Sequence, residues 1–196
     1  MSAIDGGAGG SPEGVAPPAG VVLRVAQAGD CAAIAAIYAH HVRTGSASFE
    51  LEAPDASEIA HRHRDVVDLC WPYLVAERDS EVVGYAYASP YRARPAYRFA
   101  VEDSVYVRAD CAGRGIGRAL LDLLIVQCAA RGARQMIAAT GDSANVPSIR
   151  LHTAAGFVPA GTLRTVGWKF ERWLDVVLMQ RPLGPGAGAP AERSPG

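Results

Sequence analysis

Between residues 101 and 131 a β-branched run, a turn with glycine at 113, 115 and 117, and a stretch of helical periodicity follow one another without a break. In Val101–Val107, residues Glu102, Ser104 and Tyr106 alternate with Val101, Asp103, Val105 and Val107, the period of a strand. Ile116, Leu120, Leu123, Leu124 and Gln127 lie along one side of a helix predicted over Ile116–Arg131, and Gly132 provides its stop. A strand delivered straight into a helix points to an α/β fold.

The remaining elements agree. Val21–Ala26 reads as a first strand, and Asp30 as the N-cap of a helix through Tyr38. Pro54 and Asp55 open a second helix carrying Ile59, Val66, Val67 and Leu69. Strands at Tyr73–Glu77 and Glu81–Ala88 flank the turn Arg78-Asp79-Ser80 as a hairpin. Strands are also predicted at Gln135–Ala139, Phe157–Thr165 and Trp173–Met179, with a helix at Pro147–Ala155 ended by Gly156. An antiparallel hairpin followed by alternating strands and helices predicts a mixed sheet.

Composition sets the limits of the domain. Residues 1–20 hold 6 Gly and 3 Pro, and residues 182–196 hold 4 Gly and 4 Pro. Both segments are expected to be disordered tails, because they have too little apolar side chain to offset the entropy of ordering. The folded domain is expected over 21–181. A net charge of −1 argues against a nucleic-acid partner, which demands a basic excess. No apolar run approaches membrane-spanning length, and the first twenty residues do not read as a secretory signal. Cys31, Cys70, Cys111 and Cys128 lack metal-ligand spacing and read as reduced thiols of a cytosolic protein. His61 and His63 sit about 200° apart on their helix, and His40-His41 are poorly placed, so no metal is expected.

Three segments carry candidate chemistry. The first is Gly113-Arg114-Gly115-Ile116-Gly117-Arg118, where glycines turn backbone N–H groups toward one point and the helix N-terminus adds partial positive charge. That arrangement suits a phosphate or pyrophosphate, with Arg114 and Arg118 adding full charges; it is neither a Walker loop nor the dinucleotide fingerprint. The second is Glu102, mid-strand and opposite the valine face: a general base, a grip for a substrate ammonium, or a solvent-facing carboxylate. The third is Asn145…Ser148…His152, spaced to share one helix face, where Asn145 is equally an N-cap and His152 equally a surface histidine.

Val105-Tyr106-Val107, the glycine turn, the leucine-rich helix and Asn145…Leu151-His152…Gly156-Phe157 together resemble the GNAT N-acetyltransferase family over essentially all of 21–181. The runs Tyr91–Arg98, Val101–Val107 and Gly167-Trp168-Lys169-Phe170-x-Arg172-Trp173-x-Asp175 look like its phosphinothricin / methionine sulfoximine N-acetyltransferase subfamily.

The resemblance implies an α/β GNAT (acyl-CoA N-acyltransferase) fold, a mixed twisted sheet of about six to seven strands flanked by about four helices. It implies acetyl-CoA as co-substrate, with Val105, Tyr106 and Val107 pairing with its pantetheine arm. Gly113, Arg114, Gly115, Ile116, Gly117 and Arg118 would cradle the pyrophosphate, and Asn145 and Ser148 would contact the cofactor. Glu102 would activate or orient the acceptor amine through water. His152 would protonate the thiolate or bind substrate, and Arg92 and Arg98 would meet an anionic acceptor as planar forks. The acceptor class is a small amino-acid-like amine such as phosphinothricin, methionine sulfoximine or methionine sulfone; a homodimer is implied, with Trp168–Asp175 near the partner. The chain departs from the superfamily in two places. Ala112 stands where the turn usually opens with Arg or Gln, and His152 stands where many members have Tyr. The alternatives are acylation of another small amine and a non-catalytic acyl-CoA sensor.

Overall fold

The computed structural model describes residues 16–190; the remaining parts of the two expected tails, 1–15 and 191–196, lie outside the described residues. One seven-stranded sheet runs in the order β1-β2-β3-β4-β5-β7-β6, with β1 at Val21–Val25, β2 at Tyr73–Arg78, β3 at Glu81–Pro90, β4 at Ala100–Val107, β5 at Gln135–Gly141, β6 at Val158–Lys169 and β7 at Arg172–Pro182. Every neighbouring pair is antiparallel except β4 and β5. A parallel pair needs a crossover, and α3 (Ile116–Ala130) supplies it after the glycine turn.

The helices divide between the two faces. Helices α1 (Cys31–Thr44) and α2 (Ala56–Asp68) cover Tyr73, Val75 and Tyr85, with Ile34, Tyr38, Val42 and Ile59 facing the sheet. On the other face α3 buries Ile116, Leu120, Leu121 and Leu124 against Leu74, Val83, Val101 and Met136. Helix α4 (Val146–Ala154) is shorter and buries only His152.

Several local readings change. Asp55 caps α2 by accepting from Glu58 N at 2.8 Å, as its position before the helix predicts. Asp30 does not cap α1: its carboxylate accepts from Gln27 N at 2.7 Å and is bridged by Arg24, a partner that only strand–helix packing supplies. Helix α1 runs six residues past Tyr38, and β6 runs past Thr165 to Lys169 before a turn at Phe170 and Glu171, both at positive φ. The Gly167–Asp175 motif is therefore the tip of a β6–β7 hairpin. The folded region also extends past 181: β7 ends at Pro182, Leu183 is buried, and its N–H donates to Arg134 O at 3.0 Å.

Candidate active site

Strands β4 and β5 pair only at Ala100–Gln135, Val101–Met136 and Glu102–Ile137. Beyond those rungs β5 stays with β7 and β4 stays with β3, so the sheet opens into a wedge. Arg108 N donates to Val83 O at 2.9 Å, which fixes the alternation along β4. Glu102, Ser104 and Tyr106 direct their backbone groups to β3; Val105 and Val107 direct theirs into the wedge. Of the three residues expected to pair with a pantetheine arm, Tyr106 therefore gives its amide to the β3 ladder. The Val107 carbonyl is itself engaged, accepting from His41 Nε2 at 2.8 Å, and burial lowers the His41 pKa toward the neutral ring.

Two cavities occupy the wedge and share Ala47, Val105, Tyr106, Asn145 and Ser148 in their walls. The larger, about 410 Å³, runs along the glycine turn to the start of α3 and is bounded by Gly113, Gly115, Gly117 and Arg118. Gly113 and Gly115 hold φ of 73° and 82°, the left-handed region that glycine enters without strain. The first N–H groups of α3 have no intrahelical acceptor, so they are free for an anion. Arg114 is exposed and does not line this cavity. Arg118 lines it, but its guanidinium is bonded to Asp122 at 2.7 Å and to Ala154 O at 2.8 Å. The cradle is thus mainly backbone, and Arg118 ties α3 to α4.

The smaller cavity, about 160 Å³, lies where the strands part, among Glu102, Asp103, Ser104, Thr140, Asn145 and His152. Burial pushes the Glu102 carboxyl pKa up, Asp103 adds to the rise, and Arg92 opposes it. On the Glu102 side of the sheet the rings of Tyr73, Tyr85 and Tyr87 stack, and Tyr38 meets Tyr106 edge-on at 5.1 Å. Asn145 does act as an N-cap, accepting from Ser148 N at 3.3 Å, while still lining both cavities.

His152 is not a surface residue. Its Nε2 lies 3.0 Å from Asp103 Oδ2 and its Nδ1 lies 2.8 Å from Ser148 O. Asp103 had carried no assigned role in the sequence. The signal was present, because a carboxylate on an otherwise valine-lined face needs a buried partner. Arg98 goes elsewhere: it lines a separate cavity of about 840 Å³ with Trp71, Phe99 and Arg131, which shares no wall residue with the wedge. Arg92 is exposed, its guanidinium carbon 4.9 Å from the Tyr91 ring centroid.

The Gly167–Asp175 motif explains how the wedge gets its outer wall. Lys169, 4% exposed, donates to Gly45 O at 3.0 Å and Ser48 O at 2.8 Å, pinning the loop that follows α1. Phe49 of that loop fills the space left by Gly141 and Gly167, where a Cβ on either residue would overlap its ring. Arg172 holds Asp142, which also accepts from Ser46 Oγ at 3.1 Å, and Asp175 accepts from Thr165 N at 2.9 Å. These contacts set Ala47 at the wall of both cavities.

Among the described residues no group of three or more His, Cys, Asp or Glu side chains is placed to hold a metal ion, and no helix is long and apolar enough to cross a membrane.

Comparison with known proteins agrees with this geometry. The model of the acetyltransferase (GNAT) family matches residues 34–157. A phosphinothricin N-acetyltransferase of Alcaligenes faecalis is 57% identical over 164 residues, covering 84% of this chain and 83% of that protein. An L-methionine sulfoximine/L-methionine sulfone acetyltransferase of Salmonella typhimurium is 37% identical over 83% of this chain and 95% of its own. The crystal structure of a GNAT superfamily phosphinothricin acetyltransferase from Sinorhizobium meliloti, in complex with acetyl-CoA, superposes with a TM-score of 0.85 at 44% identity, covering 88% of this chain and 94% of that one.

Proposed function

The chain belongs to the acetyltransferase (GNAT) family and is an N-acetyltransferase that uses acetyl-CoA as co-substrate, and from that premise we propose that it acetylates the α-amino group of a small anionic amino acid of the phosphinothricin or methionine sulfoximine kind by direct transfer. The observation that carries the reading is the position of Glu102: it ends the β4–β5 ladder and lines the cavity where the wedge begins. Acetyl-CoA lies with its pantetheine arm along the free edge of β4 and its pyrophosphate on the N–H groups of the glycine turn and α3.

An amino acid's amine is largely protonated near neutral pH, and an ionised Glu102 beside it favours the ammonium. Glu102 therefore acts by orienting the ammonium and by accepting its proton through a water. The amine nitrogen attacks the acetyl carbon, the C–S bond breaks, and CoA leaves as a thiolate. Glu102 passes the ammonium's proton on to solvent before attack, and the second proton, lost by nitrogen as the amide forms, leaves by the same route. The N–H groups of Val105 and Val107, aimed into the wedge, stabilise the oxyanion. Holding both substrates in line contributes the largest share of rate. Arg92, the cation that acts on Glu102, meets the acceptor's carboxylate or phosphinate.

Strand β6 is an edge of the sheet, and the hairpin it forms with β7 exposes Trp168 (55%), Trp173 (60%), Phe170, Leu163 and Val166. An apolar edge of this kind supports a homodimer closed through that hairpin. Four free cysteines fit a reducing, cytoplasmic setting.

A thiol-release assay with acetyl-CoA across phosphinothricin, methionine sulfoximine, methionine sulfone and ordinary amino acids tests the reading. Turnover is expected on the anionic acceptors; acetyl-CoA binding without turnover on any of them would overturn it in favour of an acyl-CoA sensor.

A further inference from the structure

Helix α4 brings Asn145 and Ser148 to both cavities of the wedge, yet only one of its side chains is buried, and that is His152. The partner of His152 is Asp103, the first β4 residue beyond the last paired rung, so the contact bridges α4 and β4 where backbone pairing between β4 and β5 has stopped. The two side chains are 7% and 2% exposed.

Hydrogen-bond chemistry engages both ring nitrogens. The Ser148 carbonyl 2.8 Å from Nδ1 can only accept, so Nδ1 carries a hydrogen. Nε2 faces Asp103 Oδ2 at 3.0 Å, and the two atoms share one proton in that contact. Burial pulls the His152 pKa down, but the bond and charge of Asp103 and the Ser148 carbonyl outweigh it, and the net shift is upward. The charged or titratable groups around the pair are Glu102 on β4 and Cys128 on α3; the Phe157 ring closes another side at 5.1 Å. Both ring nitrogens are thus committed inside the protein, and neither is available to a sulfur in the cleft. A general acid must have its proton within reach of the leaving group.

We infer that His152 is a positioning residue and not the proton donor to the CoA thiolate: with Asp103 it forms a buried imidazolium–carboxylate clasp that holds α4, and with it Asn145 and Ser148, against the opened edge of β4. The thiolate leaves without a dedicated acid, since a thiol with a pKa near 8.5 is a competent leaving group on its own. The inference rests on the acetyl-transfer reading for its kinetic consequences, whereas the protonation state of His152 does not.

The experiment has two arms. In the first, the imidazole nitrogens of His152 are observed by NMR in uniformly ¹⁵N-histidine-labelled protein at pH 7.5, assigned with His152→Gln. Two protonated nitrogens are expected, with conversion to a neutral ring in Asp103→Asn; an unprotonated Nε2 in the parent protein overturns the clasp whatever the enzyme acetylates. The second arm is kinetic. His152→Gln keeps an amide donor in reach of Asp103 but has no titrating proton, and kcat should stay within about fivefold of the parent. His152→Leu, which has no donor, should raise the KM for acetyl-CoA by about tenfold or more, as α4 loses its anchor. A fall of about 10²–10⁴ in kcat for His152→Gln, with acetyl-CoA KM unmoved, would restore the general-acid role and overturn the inference. Absence of turnover in the parent protein would remove the functional reading and leave the NMR arm to decide the clasp.

Discussion

Glu102 and Ile137 form the last rung of the parallel ladder between β4 and β5, and the next residue of β4, Asp103, turns to His152 of α4. The end of the ladder and the contact with α4 thus occupy consecutive positions of β4. The carboxylate of Glu102 is half-buried at the point where the strands separate, and burial, reinforced by Asp103, raises its pKa.

Glu102→Gln tests its role through two opposed effects. Steady-state kinetics should show kcat lower by about 10²–10⁴ with the affinity for acetyl-CoA little changed. Stability should move the other way. A carboxyl whose folded pKa is raised contributes stability below its unfolded pKa and loses it as pH rises through the folded value. At neutral pH the buried charge is a cost, so the neutral amide should raise the melting temperature, by about 2–4 °C for each kcal/mol relieved. A full-rate variant removes the base assignment.

The pH dependence of kcat/KM follows from the same shift. On the proposed base role the ionised form is the active one, so activity should fall as pH drops through a value above the ordinary carboxylate range of about 4.3. Arg92 opposes the rise, so Arg92→Gln should move that acid limb to higher pH and raise the KM for an anionic acceptor together. An acid limb unmoved by the substitution would separate Arg92 from the site.

Phe49 and Gly167 form a size-matched pair that holds the wall of the wedge. Gly167→Ala should destabilise the protein by about 1–3 kcal/mol, measured by denaturant unfolding, because the methyl overlaps an aromatic ring. Adding Phe49→Leu should recover part of that loss, a coupling expected only of residues in contact. Strict additivity in the double variant would show that the loop is not wedged there.

The exposed Trp168 and Trp173 rings, 5.2 Å apart, make the hairpin edge the test of assembly. Light scattering should give the dimer mass for the parent protein and the monomer mass for the Trp168→Arg/Trp173→Arg variant. A parent protein that runs as a monomer at micromolar concentration would remove the dimer.

The elements themselves were written in local pattern. Alternation of Val101, Val105 and Val107 with Glu102 and Tyr106 specifies a strand because side chains project with a period of two. Glycines at 113 and 115 specify a turn because only they enter the left-handed region without strain. Those signals, with the resemblance carried by the motifs, determined the mixed sheet and singled out the glycine turn and Glu102 as candidates. Packing decided the rest. Nothing local tells Asp103 that its partner stands 49 residues away, or assigns Arg98 to a cavity apart from the wedge. Nor does local pattern say that Asp30 serves Arg24 and the Gln27 amide instead of the start of α1. The same holds for Lys169, the only lysine, whose acceptors are carbonyls 121 and 124 residues earlier in the chain. A buried charge takes the partner that the assembled fold brings within about 3 Å, and periodicity along the chain carries no record of that distance.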